Sequence, residues 1–376
     1  MNKTFCVLPW IHLDIQSGDG DVPGTNPCCL FKWEHLAEID PNYMTHKDVE
    51  SEGLSKAVNQ YAFRKIRQDM IRGKRIKGCY KCYDEEYLGR RSQRIDMNLR
   101  FNKDAVQTNN KFSAVKFIEI SLDNTCNLEC KMCSSVHSTK LRRRDEMLGH
   151  GAKPNEKYDI NLLDDMDLSK VEYIKILGGE PLLSKNHLPL LNKFESMSNI
   201  TLLYNTNATI IPNDQTIEKM NQAKYLNFII SCDGIYKYND YQRWGSKFEN
   251  IIENSETYNK IFNNIEWTMY LNVFTLLNLN SYTETKQWFV NKGYQHWSEW
   301  EHGGILSAWH APDWYEEWIL KNNDHPDVRN YFKRRKYDPE KWSEFLNLVE
   351  VTDKMYGTRL EDYNPELAEQ LHKHRD

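Results

Sequence analysis

The sequence predicts an α/β fold built on a parallel sheet, and two observations carry that expectation. Five short apolar segments, residues 116–123 (KFIEISLD), 172–179 (EYIKILGG), 200–208 (ITLLYNTNA), 226–234 (LNFIISCDG) and 266–274 (EWTMYLNVF), are separated by stretches long enough for helices. This is the pattern of βαβ units in an α/β barrel or an open parallel sheet. Within the segments polar and apolar residues alternate, so the two faces of each strand differ. Ile118, Ile120 and Leu122 oppose Glu119, Ser121 and Asp123; Leu226, Phe228, Ile230 and Cys232 oppose Asn227, Ser231 and Asp233; Trp267, Met269, Leu271 and Val273 oppose Thr268, Tyr270 and Asn272. One face is expected under helices and the other around a polar lumen, with Glu119, Tyr270 and Asn272 as lining candidates.

At 376 residues the chain exceeds a single hydrophobic core and divides into three parts. Residues 1–105 are rich in Gly, Pro, Asp and Asn around five cysteines, with one helix where Val58, Ala62, Ile66 and Met70 recur every fourth residue before Gly73. Residues 106–300 hold the strands, and residues 301–376 read as helical, with Trp309, Trp314, Trp318 and Trp342 at near-helical spacing that suits a core better than a substrate wall. The 49 basic and 54 acidic residues give a formal charge of −5 with both signs interspersed, which points to neither nucleic acid nor an anionic membrane. The N-terminus lacks a signal-peptide pattern, and no run of about 18 apolar residues occurs. A cytoplasmic protein is expected, in which nine cysteines serve as metal ligands or reactive thiols rather than disulfides.

The sharpest motif is TCNLECKMC, which sets Cys126, Cys130 and Cys133 in a C-x3-C-x2-C array directly after a strand. Structural zinc takes four protein ligands and this loop supplies three. A [4Fe-4S] cluster normally takes four thiolates, so three leave one iron open for chemistry. On spacing alone, a partial zinc site or three incidental thiols remain alternatives.

In this array the chain resembles the radical S-adenosylmethionine (radical SAM) superfamily, although Met132 stands where an aromatic residue is usual. Three further stretches carry the resemblance in the expected order: ILGGEP at residues 176–181, YNTNA at 204–208, and SCDG at 231–234 followed by Arg243 and Gly245. The resemblance implies a partial (β/α)6 barrel with a small N-terminal cysteine-rich domain and a helical C-terminal extension. It implies a [4Fe-4S] cluster on Cys126, Cys130 and Cys133 that binds S-adenosylmethionine as cosubstrate. Gly178, Gly179, Glu180, Pro181, Asn205, Asn207, Ser231, Asp233 and Arg243 are the implied residues around that cosubstrate.

Cys6, Cys28 or Cys29, Cys79 and Cys82 offer a second ligand set, which by composition fits zinc and iron-sulfur equally. The order Cys6, Pro9-Trp10, a Gly-containing turn, Pro27-Cys28, a helix and the CYKC pair is similar to the auxiliary-cluster region called SPASM or twitch in radical SAM enzymes. Here it precedes the barrel and holds fewer cysteines than the two-cluster form. One auxiliary cluster of the twitch type is therefore expected, [4Fe-4S] in preference to [2Fe-2S], with Cys28 preferred to Cys29.

Cys232 shares the apolar face of its strand and reads as a buried thiol. The runs Arg142–Arg144 and 333–336 could grip an anion, but solvated helix faces are the commoner outcome. Taken together, the resemblance implies reductive cleavage of S-adenosylmethionine and hydrogen abstraction from a small-metabolite or carbohydrate-linked substrate, with the auxiliary cluster aiding a net oxidation. An external donor such as flavodoxin or ferredoxin would supply the electron. Modification of a ribosomal peptide is the enzymatic alternative, and a non-catalytic iron-sulfur or zinc scaffold the alternative of another class.

Overall fold

A computed structural model describes residues 4–15, 24–87, 89, 91–101, 109–151 and 159–374; the Gly-containing turn expected near residue 20 lies outside them. Among these residues seven parallel strands form one sheet in sequential order: β1 His12–Ile15, β2 Phe117–Ser121, β3 Tyr173–Leu177, β4 Thr201–Thr206, β5 Tyr225–Ser231, β6 Ile265–Phe274 and β7 Gln295–Trp300. Strands β2 to β7 alternate with helical segments and make the expected partial (β/α)6 barrel. Its edge strands do not pair with one another, so the sheet is open.

Two strands went unread in the sequence. β7 reads QHWSEW, with Trp297 and Trp300 on opposite faces among polar residues, so it lacks the apolar face that would announce a strand. β1 belongs to the stretch assigned to a separate N-terminal domain, yet it pairs in parallel register with β2, from His12 opposite Phe117 to Ile15 opposite Ile120. Its four residues are too short for a periodicity to register.

The alternation within the strands splits the molecule into cores. Ile118, Ile120, Ile174, Ile176, Leu202, Leu226, Phe228 and Ile230 join Cys232 and the covering helices in the main core. Phe117, Tyr173 and Leu203, on the opposite face, pack instead against Phe5, Val7, Trp10, Phe63, Ile66 and Met70. The N-terminal segment therefore plugs the concave face at the N-terminal ends of the strands, and only the C-terminal ends keep the polar lumen. The helix Tyr61–Ile71 turns Ala62, Ile66 and Met70 into this plug, while Val58 ends the preceding helical turn.

β6 corrects the lumen candidates. Tyr270 sits in the main core, its ring tilted against Phe289 with centroids 5.0 Å apart, and Asn272 is buried with its Oδ1 accepting from Gly234 N at 3.2 Å. An irregularity between Leu226 and Asn227 shifts the β5–β6 register, and the faces of β6 that look outward are those that looked polar in sequence. Trp267, Met269 and Leu271 face the concave side instead. Glu119 keeps its inward place.

After β7 the chain is helical and forms a core of its own. Trp309, Trp314, Trp318 and Trp342 all pack there with Tyr315, Tyr331 and Phe345. Among the described residues no helix is long and apolar enough to cross a membrane. Phe117 is 2% exposed and meets His12, Phe101 and Tyr173, so Phe117→Ala should cost about 3–5 kcal/mol and lower the urea midpoint accordingly. Tyr87→Ala, at a 90% exposed position, should stay within about 0.5 kcal/mol of the parent.

Candidate active site

The loop that leaves β2 is held by its neighbours' backbones. Gly179 N donates to Asp123 O and Glu180 N to Thr125 O, both at 2.8 Å. A Cβ on Gly179 would stand 2.3 Å from Thr125 O, and one on Gly178, whose φ is +143°, 2.6 Å from Asp123 O. Only glycines admit that approach. Further along, Glu129 N donates to Trp244 O at 2.9 Å and Lys131 N to Gln242 O at 2.7 Å, which fastens the cysteine loop to the segment carrying Arg243.

Arg144 completes the lacing. Its Nη1 donates to Cys130 O at 3.0 Å and Lys131 O at 3.3 Å, its Nη2 donates to Cys133 O, and Asp145 holds the guanidinium at 2.8 Å. Asp145 Oδ2 also accepts from Ser135 N at 2.6 Å. In sequence this arginine is one of a charged run. Arg142 and Arg143 are indeed exposed, whereas Arg144 is buried, because a planar fork of donors suits several carbonyls at once. Lys131 was also missed: buried between two cysteines, it donates to Thr352 Oγ1 at 2.6 Å, lies 3.6 Å from Asp353 and stacks 4.0 Å over the Tyr241 ring. Burial lowers its pKa to about 8. In the other basic run, Arg335 pairs with Asp313 and Glu316 while its neighbours are exposed.

One cavity of about 380 Å³ gathers most of the expected residues. Cys126, Cys130 and Cys133 line it with Gly178, Gly179, Asn205, Asn207, Ser231 and Arg243. Glu180, Pro181 and Asp233 stand behind the wall. Glu180 is buried and accepts from Leu182 N at 3.1 Å, Thr206 Oγ1 at 2.8 Å and Asn207 N at 2.7 Å, so it braces the end of β4. Burial pushes its pKa up to about 7 against those three donors. Pro181 begins the short turn Pro181–Leu183. Asp233 meets Arg243 Nε at 2.7 Å and accepts from Val273 N at 2.8 Å. Arg243 in turn reaches Cys130 Sγ at 4.0 Å, its charge held against burial by Asp233.

The three thiols are protonated as they stand. Burial raises Cys126 and Cys130 and takes Cys133 up to about 11. Thiols in such surroundings ionise when a metal brings compensating charge. Among the described residues no three His, Cys, Asp or Glu side chains converge on a point able to hold a single ion. Cys126, Cys130 and Cys133 all line the same cavity. Asn205 Oδ1, buried on the cavity wall, has no hydrogen-bond partner among the described residues. The donor set and that orphan acceptor fit a thiolate-bound cluster with an organic ligand beside it.

The early cysteines fall into two environments. Cys6, Cys28 and Cys79 pack in the plug; burial raises the pKa of each, with Cys82 adding to the shift of Cys6, Cys6 and Cys82 to that of Cys79, and Cys29, Cys79 and Cys6 to that of Cys28. Cys29 turns the other way, with Gln93 Nε2 at 3.6 Å from its Sγ and with Glu119, Lys175 and Asp14 as its charged neighbours. Cys28 thus has Cys79 and Cys6 among its neighbours, whereas neither of these acts on Cys29. Gly78 lets the Phe31 ring pass, since a Cβ there would lie 2.3 Å from it.

Comparison with known proteins matches residues 120–285 to the Radical SAM superfamily. No curated protein matches. Among solved structures, the chain is similar to Streptococcus suis SuiB bound to S-adenosylmethionine at 16% identity and a TM-score of 0.39, covering 81% of this chain and 64% of that one. It is also similar to native anSMEcpe with bound AdoMet at 16% identity and a TM-score of 0.37, covering 65% of this chain and 62% of that one. The matched part spans less than two thirds of the length of each.

Gly179→Ala should force the two loops apart and bring the iron retained after anaerobic reconstitution to less than half that of the parent, with far-ultraviolet circular dichroism unchanged. Arg144→Ala leaves three carbonyls without their donor at about 1 kcal/mol or more each. Iron per chain should fall there too, and Arg144→Lys should recover only part of it, because an ammonium does not reproduce the fork.

Proposed function

We propose, from the match of residues 120–285 to the Radical SAM superfamily, that the chain cleaves S-adenosylmethionine reductively and uses the product to abstract hydrogen from a small-metabolite substrate. The observation that carries this reading is the convergence of the three-cysteine loop and the ends of β3, β4 and β5 on one cavity. If bound, a cluster on the three-cysteine loop would supply the electron for S-adenosylmethionine cleavage, and an auxiliary cluster would supply an acceptor for the net oxidation of the substrate. Cys126, Cys130 and Cys133 would hold the first, and Cys6, Cys28, Cys79 and Cys82 the second.

The other residues bind and orient. Gly178 and Gly179 line the cavity without side chains and leave backbone within reach of the methionyl end of the cosubstrate. Asn205 and Ser231 offer hydrogen-bonding groups on the wall for its ribose and adenine, and Asn207, whose Nδ2 lies 3.9 Å from Cys126 Sγ, steadies that thiolate. Arg243 sets a positive charge beside Cys130. The apolar plug below excludes water from the radical. A one-electron donor of the flavodoxin or ferredoxin type and a cytoplasmic setting, which keeps the nine cysteines reduced, complete the proposal.

Anaerobic reconstitution should yield about eight irons per chain, two four-iron clusters, and dithionite should then release 5'-deoxyadenosine from S-adenosylmethionine. Cys126→Ala should abolish that release, whereas the Cys79→Ala/Cys82→Ala double variant should keep it with about four irons. A fully loaded protein that releases none, with or without cell extract as a source of substrate, would overturn the proposal.

A further inference from the structure

Beneath the cysteine-lined cavity, on the same face of the same strands, lies a polar layer that the reading above does not use. Glu119 on β2 and Lys175 on β3 are register partners, each two residues before a cavity-lining residue, Ser121 and Leu177. Their side chains therefore face the same lumen about 7 Å deeper. Lys175 Nζ donates to Glu119 Oε1 at 2.7 Å.

Both ends of the pair have capacity left. Glu119 is 1% exposed, and its Oε2 has no nitrogen or hydroxyl donor among the described residues, only the weakly donating Cys29 thiol lying close enough to interact with the carboxylate. His12 Nε2 stands 3.9 Å from that oxygen, beyond hydrogen-bond reach, and itself has no partner. Burial lowers the His12 pKa to about 4, so the ring brings no charge. An ammonium carries three N–H donors, and Lys175 spends one on Glu119. Burial acts to lower the Lys175 pKa, but Glu119, with Cys29 and Asp14 nearby, holds it above the usual value. A carboxylate oxygen buried without a donor is costly, so such an oxygen marks a place where a group from outside completes the set.

We propose that Glu119 and Lys175 form the head-group site of the substrate, and that the substrate is a zwitterionic α-amino acid whose ammonium donates to Glu119 Oε2 and whose carboxylate accepts from Lys175. A simple amine would meet the Lys175 charge and a simple carboxylate the Glu119 charge. An internal peptide residue would offer neutral amides in place of both ions and gain less from the pair. Across the lumen, Ile229 on β5 and Met269 and Leu271 on β6 are partly exposed in neighbouring registers, and Trp297 on β7, opposite Leu271, is 55% exposed. That wall suits an apolar or aromatic side chain. Only the statement that this bound molecule is the substrate rests on the radical SAM reading of the cavity above it.

The test is equilibrium dialysis of the reconstituted protein, with S-adenosylmethionine and without oxygen, against each of the twenty radiolabelled amino acids. Saturable binding of apolar or aromatic ones is expected, at least tenfold weaker for the N-acetyl and methyl ester derivatives of the best binder. Glu119→Gln and Lys175→Met, at parental iron content, should each weaken it at least tenfold; if either fails to fold, the two blocked derivatives decide on the parent protein. No binding, or binding indifferent to blocking or to both substitutions, overturns the head-group site. Release of 5'-deoxyadenosine is measured in parallel: amino-acid binding without release under any condition overturns the radical SAM reading and leaves the head-group site standing.

Discussion

Two backbones touch at Gly178 and Gly179, and the site depends on that contact. Strand β3 ends where the loop from β2 begins, and the hydrogen bonds from Gly179 N and Glu180 N to Asp123 O and Thr125 O fix where the cysteine loop starts. Glu180, carried past the glycines, falls under the end of β4 and takes hydrogen bonds from Thr206 and Asn207. Asn207 then reaches back toward Cys126. One approach too close for a side chain thus couples three strand ends to the first cysteine.

Charge is arranged around that frame in matched pairs. Arg144 with Asp145, Lys131 with Asp353 and Arg243 with Asp233 each bring a cation to the cysteine loop and a carboxylate to hold it. Buried ions survive when they are paired and hydrogen-bonded, and these are. With the cations already balanced, the thiols stay protonated until a metal group supplies positive charge. The pairs also tie the loop to distant chain: Asp353 lies on the helix Pro339–Tyr356, so the C-terminal core clasps the cysteine loop from outside.

The N-terminal segment acts from the other end. Its plug fills the concave face beneath the cavity, its first strand extends the sheet, and its cysteines divide between the plug and the lumen. Cys28 and Cys29 are adjacent in sequence yet face different neighbours, because consecutive side chains leave an extended or turning backbone in different directions.

How much of this was legible depends on whether the cause is local. The parallel α/β class, the strands β2 to β6, the cysteine loop and the glycine pair follow from short-range pattern, since alternation, loop glycines and thiol spacing are written in consecutive residues. The inert Cys232 and the core tryptophans were readable for the same reason. The outward turn of Tyr270 and Asn272 was not, because an irregularity between paired strands sets which face looks inward. Nor were β1, the buried Arg144 and Lys131, or the unspent Glu119–Lys175 pair. Each depends on groups many residues away in the chain, Arg144 on loop carbonyls 11 to 14 positions back and Lys175 on a carboxylate 56 positions back. The sequence by itself determined the chemistry the chain can attempt; tertiary structure decided which of its charges are buried, which are satisfied and which are left for a ligand, because burial and pairing are properties of neighbours in space.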